Sequence, residues 1–104
     1  MRSLYRLAIA TAAVLIATPA FADRIDGEWC NGTQSLQIEG SNIRTPGGNQ
    51  ITGDYSRHGF AYVVPANEPE AGAKVVMHLV SEEQMTLTKK DKPAETWRRC
   101  KVTS

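Results

Sequence analysis

From residue 27 onward the chain alternates. Apolar side chains take every second position in short runs separated by polar turn residues: Leu36 and Ile38, then Phe60 and Tyr62, then Met85 and Leu87. Successive side chains of a strand point to opposite faces, so each run predicts a strand with one buried face. Turn signals punctuate the pattern at Asn31-Gly32, at Gly40-Ser41 and at Pro46-Gly47-Gly48-Asn49, with a short strand around Ile43 between the last two. Residues 51–57 and 59–64 carry the β-rich Tyr55, Phe60, Tyr62, Val63 and Val64, and read as one strand bent near Gly59 or as a hairpin. Residues 65–72 form a loop with two prolines, 74–80 a valine-rich strand, 85–88 a further strand, and 95–101 the last. Beyond Ala22 no apolar spacing of three to four residues persists; the nearest approach, residues 68–74, is interrupted by Pro69 and Gly72. The expectation is all-β: a small antiparallel meander of seven or eight short strands in one domain, residues 23–104, closed or nearly closed into a barrel.

The first 22 residues follow a different rule. Arg2 and Arg6 precede an unbroken apolar stretch over residues 7–18, and Pro19 stands before Ala20-Phe21-Ala22. This is the layout of a secretory signal peptide, with cleavage expected between Ala22 and Asp23. The stretch is too short for a bilayer, which needs about 20 apolar residues, so no membrane insertion is expected after processing. Cleavage leaves 82 of the 104 residues and shifts the net charge from +1 to −1. A near-neutral chain without a basic stripe argues against nucleic acid as a partner. A periplasmic or secreted location in a Gram-negative bacterium is expected.

Export gives the two cysteines their meaning. Cys30 and Cys100 are the only ones, and an oxidising compartment lets them pair. No short Cys or His spacing suggests a metal, so no metal or cofactor is expected. A loop of about 70 residues closed in this way stabilises by roughly 4 kcal/mol in the chain-entropy model. Each cysteine stands near a tryptophan, in Trp29-Cys30 and Trp97-Arg98-Arg99-Cys100. Strand parity sets each cysteine opposite its tryptophan, so two inward tryptophans leave an outward disulfide between the first and last strands, as barrel closure requires. The expected filling is Trp29, Leu36, Ile38, Phe60, Tyr62, Val76, Leu87 and Trp97; eight strands enclose little more than such side chains.

Gly27-Glu28-Trp29 on the first strand, Gly53-Asp54-Tyr55 before an aromatic-rich strand, and Met85–Thr88 followed by Thr96-Trp97-Arg98 together resemble the small bacterial lipocalin-like (calycin-type) domains. The resemblance implies that Trp29 plugs one end of a barrel and that Arg98 or Arg99 packs across it. It also implies, as an alternative function, a carrier of a small apolar ligand.

Chemistry is sparse. His58 and His78 are the only histidines, 20 residues apart, and no nucleophile elbow, zinc motif or phosphate loop occurs. No catalytic residue is assigned, and the chain is expected not to be an enzyme. Residues 54–62 concentrate aromatics with an arginine and a histidine, the composition of binding hot spots, which makes Tyr55, Arg57 and His58 the candidate binding surface. The expected function is an exported, monomeric, non-enzymatic module that binds a protein or envelope component, a small inhibitor being one version.

Overall fold

The computed structural model of the protein describes residues 23–101. The signal-peptide reading of residues 1–22 lies outside the described residues. Nine strands follow: β1 (Gly27–Asn31), β2 (Gln34–Glu39), β3 (Asn42–Arg44), β4 (Gln50–Thr52), β5 (Asp54–Ser56), β6 (Gly59–Val63), β7 (Lys74–Ser81), β8 (Gln84–Lys89) and β9 (Glu95–Arg99). They make one antiparallel sheet in the order β4-β3-β2-β1-β9-β8-β7-β6-β5, curled into a nearly closed up-and-down barrel. The first and last strands pair, with Trp29 opposite Arg99 and Cys30 opposite Arg98.

The count is nine because residues 51–57 do not form one continuous pairing. The chain changes partner at Gly53, whose N–H donates to Ser41 O at 2.9 Å, while the next residue, Asp54, pairs with Ala61. β4 therefore belongs to β3, and β5 to β6. A Cβ at Gly53 would lie 2.4 Å from the Ala61 carbonyl oxygen and 2.6 Å from the Phe60 ring, so only glycine permits this approach. The two ends of the sheet are joined by the polypeptide at Gly53, not by a hydrogen-bond ladder. The bend thus falls at Gly53 and not near Gly59, where Ser56 pairs with Gly59 across a two-residue hairpin loop, Arg57-His58.

The hairpins alternate between the two ends of the barrel. Asn31 pairs with Gln34 and Glu39 with Asn42, leaving Gly32 (φ 61°) and Gly40 (φ 58°) as first loop residues. A positive φ at that position suits the right-handed twist of the flanking strands. One end collects loops 32–33, 45–49, 64–73 and 90–94. The other collects residues 23–26, 40–41, 57–58 and 82–83.

The core contains Trp29, Leu36, Ile38, Phe60, Tyr62, Leu87 and Trp97 as expected, and adds Ile25, Ile43, Val64, Val75, Met77 and Met85. Val76 is the correction. Phe60 pairs with Met77 and Tyr62 with Val75, so β7 turns Val75 and Met77 inward and leaves Val76, His78 and Val80 outside, with Val76 43% exposed. Both faces of this strand carry valine, and the parity of Lys74 and His78 marks the outer one.

Cys30 and Cys100 form a disulfide with a Cα–Cα distance of 5.0 Å. Each is half-buried, on the face opposite the Trp29–Arg99 pair, and the Cys100 N–H continues the ladder to Glu28 O at 3.1 Å. The bond clasps the two terminal strands from outside.

Candidate functional site

The two ends of the barrel differ in how completely they are filled. At one, residues 23–26 cross the opening. Ile25 is fully buried, and its N–H donates to Arg57 O at 2.7 Å. Trp29 Nε1–H donates to Ile25 O at 2.8 Å, and the Arg99 guanidinium lies 4.1 Å from the centroid of the Trp29 ring. Arg99 also donates to the carbonyls of Arg24 (2.8 Å), Asp26 (2.5 Å) and Glu82 (2.7 Å). The Asp26 carboxylate accepts from the Tyr55 hydroxyl and from the Gly40 N–H at 2.9 Å. Burial works to raise the Asp26 carboxyl, but these two donors, together with its own backbone N–H and the positive charge of Arg24, outweigh it and hold the group below its ordinary value. This end is plugged: strap, ring, guanidinium and carboxylate satisfy one another.

The opposite end is open. Tyr62, Val64, Leu87 and Trp97 wall a cavity of about 300 Å³ whose rim carries Gln34, Glu68, Glu70, Lys89 and Glu95. Loop 64–73 overhangs it, tied on one side by Glu68, which accepts from the Thr45 hydroxyl and from Asn49 Nδ2 at 2.6 Å. On the other side Glu70 accepts from Lys89 (2.7 Å) and Lys92 (2.5 Å). Those two ammonium donors pull the Glu70 carboxyl down to about 2. Trp97 Nε1–H donates to Glu95 Oε1 at 3.0 Å. Tyr62 is pushed up to about 12, first by burial and then by the negative fields of Glu68 and Glu95.

The residues singled out from the sequence fall mainly at the plugged end. Tyr55 faces inward, its ring edge-on to Phe60 (6.5 Å between centroids), with its hydroxyl spent on Asp26. Arg57 and His58 lie in the exposed hairpin, where Arg57 binds both Asp23 oxygens at 2.8 Å. These three therefore do not share one surface. His58 and His78 do come together, along a shallow depression of about 450 Å³ that includes Asp23 and Glu82, because β6 starts beside β7 and Leu79 N–H donates to His58 O at 2.8 Å. Asp54 is not among them; it lies on β5 opposite Ala61. Among the described residues no group of three His, Cys, Asp or Glu is arranged to hold a metal. Of the two candidate arginines, Arg99 packs on Trp29, whereas Arg98 points outward.

The open cavity was not anticipated from the sequence. One signal was available: Glu95 has the parity of Trp97, which places a carboxylate on the inner face of β9. The convergence of Tyr62 and Glu68 with it depends on loop 64–73, whose path no periodicity encodes.

No protein-family model, curated protein or solved structure matches the chain. What the structure itself defines is a nearly closed, disulfide-clasped antiparallel β-barrel with one plugged and one open end. The disulfide is chemistry suited to an oxidising compartment, and no described helix is long and apolar enough to cross a membrane.

Proposed function

We propose that this is an exported, non-enzymatic binding module that engages a protein or envelope component through the open end of its barrel, in the periplasm of a Gram-negative bacterium. The observation that carries this reading is the contrast in filling. The interior below the mouth is occupied by Trp29, Leu36, Phe60, Met77 and Met85, all essentially inaccessible, while the mouth keeps about 300 Å³ free. That is the small end of the usual range for ligand pockets, about 300–1,000 Å³. It admits a side chain or a headgroup, with the rest of the partner remaining outside. The same sizes weigh against the second reading, a lipocalin-like carrier, since an apolar cargo needs a hollow interior. The packing of Arg99 on Trp29 supports the lipocalin-like resemblance as a proposal about ancestry, independent of cargo.

The test is capture from a periplasmic extract by the processed chain and by Gln34→Trp, which sets a bulky ring on an exposed rim position. The reading predicts a component retained by the wild type and lost with Gln34→Trp, at unchanged circular dichroism and Tm. Equal retention by both would remove the mouth as the binding site.

A further inference from the structure

Three features of the mouth share a direction. Its aromatic walls, Tyr62 and Trp97, are the kind of surface on which a cation is attracted to the negative face of a ring. Its rim holds three carboxylates of unequal status. Glu70 is neutralised by Lys89 and Lys92, but Glu68 is bonded by an alcohol and an amide, and Glu95 by an indole N–H. The direct donors to those two carboxylates are neutral and hold them without cancelling their charge, although Lys92 reaches Glu95 through its field. The third feature is Tyr62 itself. Its residue is only 6% exposed, it lines the cavity within the field of Glu68 and Glu95, and its hydroxyl has no hydrogen-bond partner among the described residues. The hydroxyl oxygen thus faces the free space of the mouth as an acceptor that the described residues do not use.

We propose that the mouth binds an organic cation bearing N–H donors, a primary ammonium or a guanidinium. The inference rests on the reading that the open end is the binding site, and it names the chemistry that site takes. The head enters between Tyr62 and Trp97, donates to the Tyr62 hydroxyl oxygen, and is balanced by Glu95 and Glu68. Lys89 and Lys92 share the single charge of Glu70 and leave one positive charge between them, which the two charges of Glu68 and Glu95 exceed, so the rim stays net negative. An anion of the same size meets the same walls with the opposite sign and is rejected. The cationic head has two sources, a free amine or a lysine or arginine side chain of a protein.

The two tryptophans supply both the probe and its control. Trp97 Nε1–H reports from the mouth through Glu95, and Trp29 Nε1–H from the plugged end through Ile25 O. In a ¹⁵N–¹H correlation spectrum of the processed chain at pH 7, butylammonium and methylguanidinium shift the Trp97 indole signal saturably and leave that of Trp29 in place. Butyrate and butanol do neither. Tyr62→Phe weakens butylammonium binding roughly fivefold while leaving Tm equal or higher, since it removes an unpaired hydroxyl. Glu95→Gln, which keeps an acceptor for Trp97, weakens binding about tenfold or more. Tighter binding of a lysine- or arginine-bearing peptide than of either small cation assigns the head to a protein partner, and the reverse order to a free amine. The proposal is overturned if butanol or butyrate shifts Trp97 as strongly as the cations, if no cation shifts it, or if Tyr62→Phe leaves affinity unchanged. A partner lost with Gln34→Trp although no cation shifts Trp97 would defeat the cation chemistry and leave the mouth as the site. Retention with Gln34→Trp defeats the mouth itself.

Discussion

Trp29 and Trp97 are both fully buried, both face inward, and lie on neighbouring strands, yet they belong to opposite ends of the barrel and to opposite physical situations. Around Trp29 every polar group is answered. Its indole N–H meets a backbone carbonyl, its face meets Arg99, and Arg99 in turn caps three carbonyls. Around Trp97 the indole meets a carboxylate that Lys92 reaches only through its field, beside a phenol with no hydrogen-bond partner among the described residues and an open cavity. The inner face of β9 runs from Glu95 through Trp97 to Arg99, so one strand delivers negative charge to the open end and positive charge to the plugged one. The difference teaches that the two ends are unlike along the barrel axis: one end completes the fold, and the other retains bonding capacity that the described residues do not meet, which is where the proposed recognition would act.

The largest effect should come from the clasp behind the plugged end. Replacing both Cys30 and Cys100 by serine removes a 70-residue loop closure and should cost about 4 kcal/mol, a large share of what so small a domain possesses. Urea unfolding of the double variant measures it; a loss below about 1 kcal/mol would mean that the β1–β9 pairing holds closure without the bond.

A smaller effect is expected at Asp26. Asp26→Asn gives up a buried, doubly bonded carboxylate and should cost about 1–3 kcal/mol at pH 7. The sign with pH follows from its depressed carboxyl. A group more acidic in the folded than in the unfolded state stabilises fully above the unfolded value of 3.8, and that contribution fades as pH falls through the lower folded value. The gap in Tm between wild type and Asp26→Asn should therefore narrow as pH is lowered from 7 towards 2. A gap independent of pH would show that the charge of Asp26 contributes nothing to the plug.

The smallest effect belongs to the rim. Glu70→Gln breaks an exposed pair of ion contacts and should lower Tm least of the three, with the loss disappearing at high salt. Because Glu70 lies near 2 when folded against an ordinary 4.5, whatever it adds is present above 4.5 and declines as pH drops toward 2. A rim substitution as damaging as Asp26→Asn would break the contrast between the two ends.

How far the sequence could be read follows from which features are local. Two-residue alternation and glycine turns are written in consecutive residues, so the strands were legible, including the pairing of first and last that places Cys30 beside Cys100. Residues 74–80 are less so, because valines on both faces blur the parity, and the pattern puts Val76 inside where the structure leaves it exposed. The partner exchange at Gly53 was hidden, since it depends on how closely Ala61 and Phe60 approach from another strand. Tyr55, Arg57 and His58 drew notice by composition, but folding spends Tyr55 on Asp26 and Arg57 on Asp23.

By itself the sequence determined the all-β class, the inward tryptophans and the disulfide, because period-two patterning, turn chemistry and a single cysteine pair each admit few solutions. Only the tertiary structure decided which arginine covers Trp29, where the barrel is stitched shut, and which end stays open. Those outcomes depend on side chains tens of residues apart meeting across the barrel. Glu68 reaches the mouth from loop 64–73 and Glu95 from β9, and nothing in the local spacing of either residue sets the distance between them.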